Sequence, residues 1–219
     1  MTTPYTKTDT KTDTKTDAST TDTVTPELVV LLDEDGRSVG TADKAGVHDA
    51  DTPLHLAFSC YLFDDAGNVL VTQRALHKRT FPGVWTNSCC GHPAPGEPLE
   101  DAVRRRVEQE LGTTVTDLRL VLPRFRYRAE QDGVVENEMC PVFVGSVPGV
   151  ASERVAPDPD EVGEARWEAW HAFRAAVLDG SREVSVWCRE QVAQLPADPL
   201  SAPAADPDDL PSAARSATP

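Results

Sequence analysis

Apolar residues in the first part of the chain come in short, strand-length runs. Leu28-Val29-Val30-Leu31-Leu32 is the first, stopped by the turn-forming Asp33-Glu34-Asp35-Gly36, with Val39 to Thr41 placed to return beside it. His55 to Phe63, with Phe58, Tyr61 and Phe63 among small residues, predicts a buried strand. Asp64-Asp65-Ala66-Gly67-Asn68 turns it into Val69 to Arg74, so a β-hairpin is expected. After Pro98 the period changes. Leu99, Ala102, Val103, Val107 and Leu111 recur at spacings of three and four, which predicts an amphipathic helix ended by Gly112. Extended segments follow at Leu118 to Arg128 and Val134 to Val147, joined by Gln131-Asp132-Gly133, and a Pro- and Asp-containing connection runs from Val150 to Asp160. Glu164 to Trp167 reads as a last strand, and Trp170 to Leu178 and Glu183 to Leu195 as helices.

The ends of the chain lack this patterning. Thr, Lys and Asp repeat through the first segment, and the last is rich in Pro, Ala, Asp and Ser; neither offers enough apolar surface to offset ordering entropy. The expected organisation is a disordered N-terminal tail (1–25), one folded domain (26–195) and a disordered C-terminal tail (196–219). With 219 residues and 39% hydrophobic content the chain can bury one sizeable core. A formal charge of −15 argues against a nucleic-acid partner, and an anionic ligand would need a local cationic pocket. No apolar run is long enough to span a bilayer, and no signal peptide is evident. An odd number of cysteines, five, with Cys89 and Cys90 adjacent, does not resemble a disulfide framework, so a reducing cytoplasm is expected; the chain is also expected to be a monomer.

Candidate chemistry gathers between Phe81 and Glu97. Pro82, Gly83, Gly91, Pro93, Pro95 and Gly96 leave Cys90 and His92 on a shaped loop, a reactive or metal-binding corner. Strand alternation turns Cys89 away from Cys90, toward packing. On the helix, Arg106 and Glu110 stand four apart and can face a common site, or form a surface ion pair. Glu136 and Glu138 share a strand face with Cys140, while Asn137 and Met139 point the other way. Two like charges there require solvent or a cation.

Gly91, Glu97, Arg105, Glu110 and Gly112 together resemble the Nudix box, a loop-helix-loop motif that holds a metal and a diphosphate. The resemblance is partial: Arg105-Arg106 and Gln109-Glu110 stand where that box carries further carboxylates, so two of its metal-binding acids are missing. Thr86-Asn87-Ser88-Cys89-Cys90-Gly91-His92, Phe125-Arg126-Tyr127-Arg128 and Glu136 to Phe143 resemble the type I isopentenyl-diphosphate isomerase family, over about Glu27 to Gln194. Cys188 follows Trp187 where that family is expected to have methionine, and the hairpin between Tyr127 and Glu136 is one residue tighter.

The resemblance implies an α/β (α+β) Nudix-type fold, a mixed β-sheet sandwiched between helices, and isomerisation of isopentenyl diphosphate to dimethylallyl diphosphate for isoprenoid synthesis. It implies a Mn²⁺ or Mg²⁺ site at His48, His55, His92, Glu136 and Glu138, and an acid/base pair of Cys90 and Glu138. Tyr127 would help the proton transfer, and Trp187 would face the carbocation. Lys44, Arg74, Lys78 and Arg106 would hold the diphosphate, and Glu110 with Cys90 a second Mg²⁺ that arrives with the substrate. Two other readings stay open: a Nudix hydrolase splitting a diphosphate, disfavoured by Arg106 and Gln109, and a catalytically silent Nudix-like binding module.

Overall fold

The computed structural model describes residues 27–148 and 155–215; the expected tail at 1–25 lies outside them. Two mixed sheets form the framework. The first contains β1 (Leu28–Leu32), β2 (Ser38–Asp43), β3 (His55–Leu56), β9 (Arg126–Gln131) and β10 (Val134–Met139), in the order β2-β1-β3-β10-β9. The second contains β4 (Phe58–Phe63), β5 (Asn68–Arg74), β8 (Thr116–Leu122), β11 (Val142–Ser146) and β12 (Val162–Ala169), in the order β12-β5-β4-β11-β8. Two short strands, β6 (Trp85–Thr86) and β7 (Cys89–Gly91), lie against β5 and β4 respectively. The helices are α1 (Lys44–Val47), α2 (Leu99–Leu111), α3 (Trp170–Asp179) and α4 (Val186–Gln194).

The single sheet expected from the sequence is therefore two, because three segments that read as continuous strands each change sheet. β3 passes to β4 at Ala57, β8 to β9 across Pro123 to Phe125, and β10 to β11 at Cys140-Pro141. These crossings run side by side: the Ala57 N–H donates to the Met139 carbonyl (2.9 Å), that of Ser59 to Pro141 (3.0 Å) and that of Cys140 to Phe125 (2.8 Å). Pro141 has no N–H to give a ladder, which suits it to a crossing.

Both faces of the second sheet are covered. Phe58, Cys60 and Leu62 of β4 pack with Val103, Val107 and Leu111 of α2, whereas Tyr61 and Phe63 pack with Trp170 and Phe173 of α3 and Trp187 of α4. Alternation with a period of two thus feeds two cores, and all of β4 is buried. Helix α2 ends where Gly112 adopts φ 59°, as the periodicity anticipates.

The C-terminal segment departs from expectation. Residues 196–215 lie on the domain, through 3₁₀ turns at Pro207–Asp209 and Ser212–Ala214. Leu210 and Ala214 complete the core beneath α2. Arg119 donates to the carbonyls of Leu200 and Ala202, and the Ala205 N–H donates to Leu120 (2.8 Å). The Gly36 carbonyl accepts from the Ala213 N–H (3.1 Å) and the Ser212 hydroxyl (3.3 Å). Gly36 has φ 83°, and a Cβ there would lie 2.7 Å from Pro211, so the turn leaves room for the strap. Composition averaged over the segment hides the few apolar positions that matched a gap in the core.

Leu210→Ala should therefore lower stability by about 2 kcal/mol, read in urea denaturation as a lower midpoint at unchanged slope. A change under about 0.5 kcal/mol would place the strap outside the cooperative unit.

Candidate active site

The site begins where a hairpin opens. β4 and β5 pair at Phe63 with Val69 and then diverge, and residues 85–91 fill the wedge, β6 against β5 and β7 against β4. A chain crossing inside the protein must satisfy every backbone group it frees. The Ser88 hydroxyl accepts from the Leu62 N–H (2.8 Å) and donates to the Leu70 carbonyl (2.6 Å), and Thr72 Oγ1 donates to the Asn87 carbonyl (2.8 Å). Asn87 Nδ2 donates to the carbonyls of Cys60 (3.1 Å) and Cys89 (2.9 Å). The motif's short polar residues thus anchor the wedge, and Cys90 lies on a short strand instead of a free loop. A Cβ on Gly91 would come within 3.0 Å of both Arg106 and Phe58, so glycine lets α2 approach β7.

A cavity of about 700 Å³ opens beside this wedge. Every residue of the expected site lines it except His55, which is fully buried behind its wall. At one end three imidazoles converge. The ring centroids of His48, His55 and His92 lie 5.1 to 5.8 Å apart, and a nitrogen from each, with a Glu138 oxygen, falls within 4.8 Å of the others. His92 Nε2 is 3.1 Å and His55 Nε2 3.5 Å from Glu138 Oε1. His55 Nδ1 faces the Pro53 carbonyl at 2.9 Å, which orients its Nε2 inward. His48 Nε2 and His55 Nε2 are buried without a hydrogen-bond partner. Orphaned nitrogens converging on a carboxylate fit a divalent metal, and this donor set is compatible with one. Glu136 stands outside the tight cluster, linked to it through Tyr127.

Charge in this corner follows from burial. Desolvation drives the pKa of His48 down to about 4 and lowers that of His92, keeping both neutral. Burial opposes charge on His55 too, but the Glu138 carboxylate outweighs it and raises its pKa. Burial acts against ionised Glu138 as well; His55 and His92 overcome it and hold its pKa well below the usual carboxylate range. Burial and the neighbouring Glu138 push Glu136 up to about 7. The Tyr127 hydroxyl lies 2.9 Å from Glu136 and 2.8 Å from Glu138. One hydroxyl has one proton, so it serves both carboxyls fully only if one of them is protonated, and Glu136 is the better host.

In the same cavity, burial pushes the Cys90 thiol up to about 12. Its sulfur contacts Asn87 Oδ1 (3.2 Å) and Ser59 Oγ (3.3 Å). Trp187 stacks obliquely on Tyr127, with centroids 5.4 Å apart, and Arg74 lies over its ring at 6.0 Å. Lys44, Arg74, Lys78 and Arg106 line the cavity as well. Arg74 donates to Thr80 through Nε and Nη2, and Lys44 pairs with Glu27 at 2.6 Å. Arg106 Nε donates to Glu110 at 2.9 Å, and Arg106 and Lys78 both pair with Glu161. Burial disfavours charge on Glu110 and raises its pKa against the pull of Arg106.

The sequence pairs Cys90 with Glu110; the thiol beside Glu110 is that of Cys89, whose Sγ donates to Oε2 at 3.5 Å. Cys89 does face away from Cys90, but into polar contact as well as packing. The Cys90 atom on this side is its carbonyl oxygen, 3.9 Å from the Cys89 sulfur. Glu161, just past the Pro- and Asp-containing connection, carries no advance signal, and Ser59 reads as strand filler. Asn87 sits within a recognisable motif without a role visible from sequence.

The NUDIX domain family model matches residues 53–188, and this mixed-sheet fold places the chain in that class. The fold is shared with the crystal structure of DR0079 from Deinococcus radiodurans, with a TM-score of 0.58 at 17% identity, covering 77% of this chain and 98% of that one. Similarity narrows further with an isopentenyl-diphosphate Delta-isomerase of Mycolicibacterium vanbaalenii, 64% identical over 80% of this chain and 94% of its own length. Proteins of the same name from Saccharopolyspora erythraea (56% identity, 86% of this chain and 97% of that protein) and Rhizobium rhizogenes (49% identity, 87% and 92%) also match. The chain belongs to the isopentenyl-diphosphate Delta-isomerase family.

Metal should stabilise the fold through the imidazole corner. Mn²⁺ at a hundred times its Kd should add about 2.7 kcal/mol to chelator-stripped protein in denaturant titrations. His55→Ala should abolish that increment, and an unchanged increment would move the ion elsewhere.

Proposed function

We propose that the chain interconverts isopentenyl and dimethylallyl diphosphate through a tertiary carbocation, in isoprenoid synthesis. A proton is added to the terminal alkene carbon, positive charge develops on the branched carbon, and a proton leaves the carbon on its other side. The reaction needs two proton-transfer groups on opposed walls and a dry space between them. What carries the reading is that one cavity is lined by Cys90, Glu138 and Trp187 together with the cations Lys44, Arg74, Lys78 and Arg106.

Cys90 and Glu138 are the acid/base pair, and reversibility makes each the acid in one direction and the base in the other. Tyr127, bonded to both glutamates, holds a mobile proton next to Glu138. Trp187 presents its π face to the cation, an interaction worth about 0.5 to 2 kcal/mol. Lys44, Arg74, Lys78 and Arg106 neutralise the diphosphate and orient the alkene end toward the thiol and carboxylate. His48, His55, His92 and Glu138, with Glu136 nearby, would hold Mn²⁺ or Mg²⁺, which supplies positive charge that keeps Glu138 ionised and fixed. Glu110 and the Cys90 carbonyl would hold the Mg²⁺ that accompanies the substrate diphosphate.

Arg106 and Gln109 argue against the hydrolase alternative, since carboxylates that would assemble metals around an attacked phosphorus are replaced by a cation and an amide. The reading places a monomer in a reducing cytoplasm, and the free state of all five cysteines fits the reducing compartment. Among the described residues no helix is long and apolar enough to cross a membrane.

Isopentenyl diphosphate incubated in D₂O with metal-replete protein should give deuterated dimethylallyl diphosphate and deuterated recovered substrate, without release of phosphate. Cys90→Ala and Glu138→Gln should each lower kcat by about 10²- to 10⁴-fold. Full activity in either variant, or phosphate as the product, would overturn the proposal.

A further inference from the structure

Three hydrogen bonds converge on one atom in the wall of the cavity. Asn87 Oδ1 accepts from Thr86 Oγ1 (2.8 Å), from Cys90 Sγ (3.2 Å) and from Trp187 Nε1 (3.1 Å). Two of these donors belong to different parts of the fold, Cys90 to β7 and Trp187 to α4. We infer that Asn87 is a positioning residue for the isomerisation, an acceptor that sets the orientation of the Cys90 thiol and the Trp187 indole relative to each other. The inference rests on the isomerase reading above.

The chemistry of its surroundings fixes the amide. Asn87 is fully buried, and its Nδ2 faces two carbonyls, those of Cys60 and Cys89. Turning the amide over would set oxygen against two carbonyl oxygens and an NH₂ group against the indole N–H, which only donates. The oxygen is therefore held toward the site. Each partner is also held from another direction: Cys90 by Ser59 Oγ at 3.3 Å, and Trp187 by Phe81, edge-on at a centroid distance of 5.2 Å. Phe81 itself has φ 48°, uncommon for a bulky residue, so the support behind the indole retains local strain.

An acid that must reach one carbon and a π face that must cover its neighbour act on the same small group. Their relative placement matters more than the freedom of either. A backbone anchor at this point would require only the two Nδ2 bonds. Of the three bonds accepted by Oδ1, two hold it within the wedge and the third, from Trp187, links the wedge to α4.

The test is a double-mutant cycle with the metal-loaded full chain. Asn87→Ala should lower kcat on the order of 10²-fold while KM and inhibition by inorganic diphosphate stay within about threefold, since the cation clamp is untouched. Trp187→Phe removes the indole N–H, so in that background the further loss on adding Asn87→Ala should shrink to roughly tenfold. If wild-type protein isomerises but Asn87→Ala retains kcat within about threefold, or its cost is equal in both backgrounds, this inference fails and the isomerase reading stands. If wild-type protein does not isomerise, the reading itself fails. Should Asn87→Ala not fold, ¹⁵N-tryptophan labelling of the wild-type protein decides the matter. The indole resonance that Trp187→Phe removes should be protected from solvent exchange in the wild type and shifted in Asn87→Ser; rapid exchange in the wild type, or an unshifted resonance in Asn87→Ser, would overturn the link.

Discussion

A carboxylate withdrawn from water must be given partners or lose its charge. Glu138 is 5% exposed, and His55 and His92 close on one oxygen while Tyr127 reaches the other. The corner depends on that compensation. Imidazoles that turn their nitrogens toward the carboxylate leave those nitrogens without other partners, which is the condition for taking up a metal. The same compensation separates the two glutamates: Glu138 stays ionised and Glu136 is raised toward neutrality, with the Tyr127 hydroxyl bonded to both.

The supporting architecture is the divergence of β4 from β5. A hairpin that stayed paired would have left no room for residues 85–91, and Cys90 would not reach the cavity. Its cost is a set of interior backbone groups, met by Thr72, Asn87 and Ser88. β9 and β10 bring Tyr127, Glu136 and Glu138 to the same cavity in register: Glu138 lies across from Tyr127 and beside His55. Lys78 and Arg106 are paired with Glu110 and Glu161, so this part of the cavity is a mixed-charge wall in a molecule of net charge −15. Local arrangement overrides the mean field there, because partners a few ångströms away act in a poorly screened site.

Much of this was legible before folding. Period-two alternation put Glu136 and Glu138 on one face, the 3.6-residue period placed Arg106 beside Glu110, and Gly112 marked the end of α2. The turn residues at Asp33 to Gly36 and Asp64 to Asn68 marked the tight returns. These signals are local, carried by residues within a few positions of one another. The family resemblance supplied the grouping of His48, His55 and His92, which no spacing could.

What the chain determined alone was the identity and facing of its elements, since backbone geometry converts spacing into direction wherever the pattern is strong. Tertiary structure decided where each strand changed sheet at Ala57, Pro123 and Pro141, whether Leu210 had a gap to fill, that Glu161 joins Lys78 to Arg106, and that Asn87 touches both Cys90 and Trp187. Those contacts join residues a hundred positions apart, as Asn87 and Trp187 are, or more, and their energies depend on desolvation that exists only once the cores on both sides of the sheet have closed.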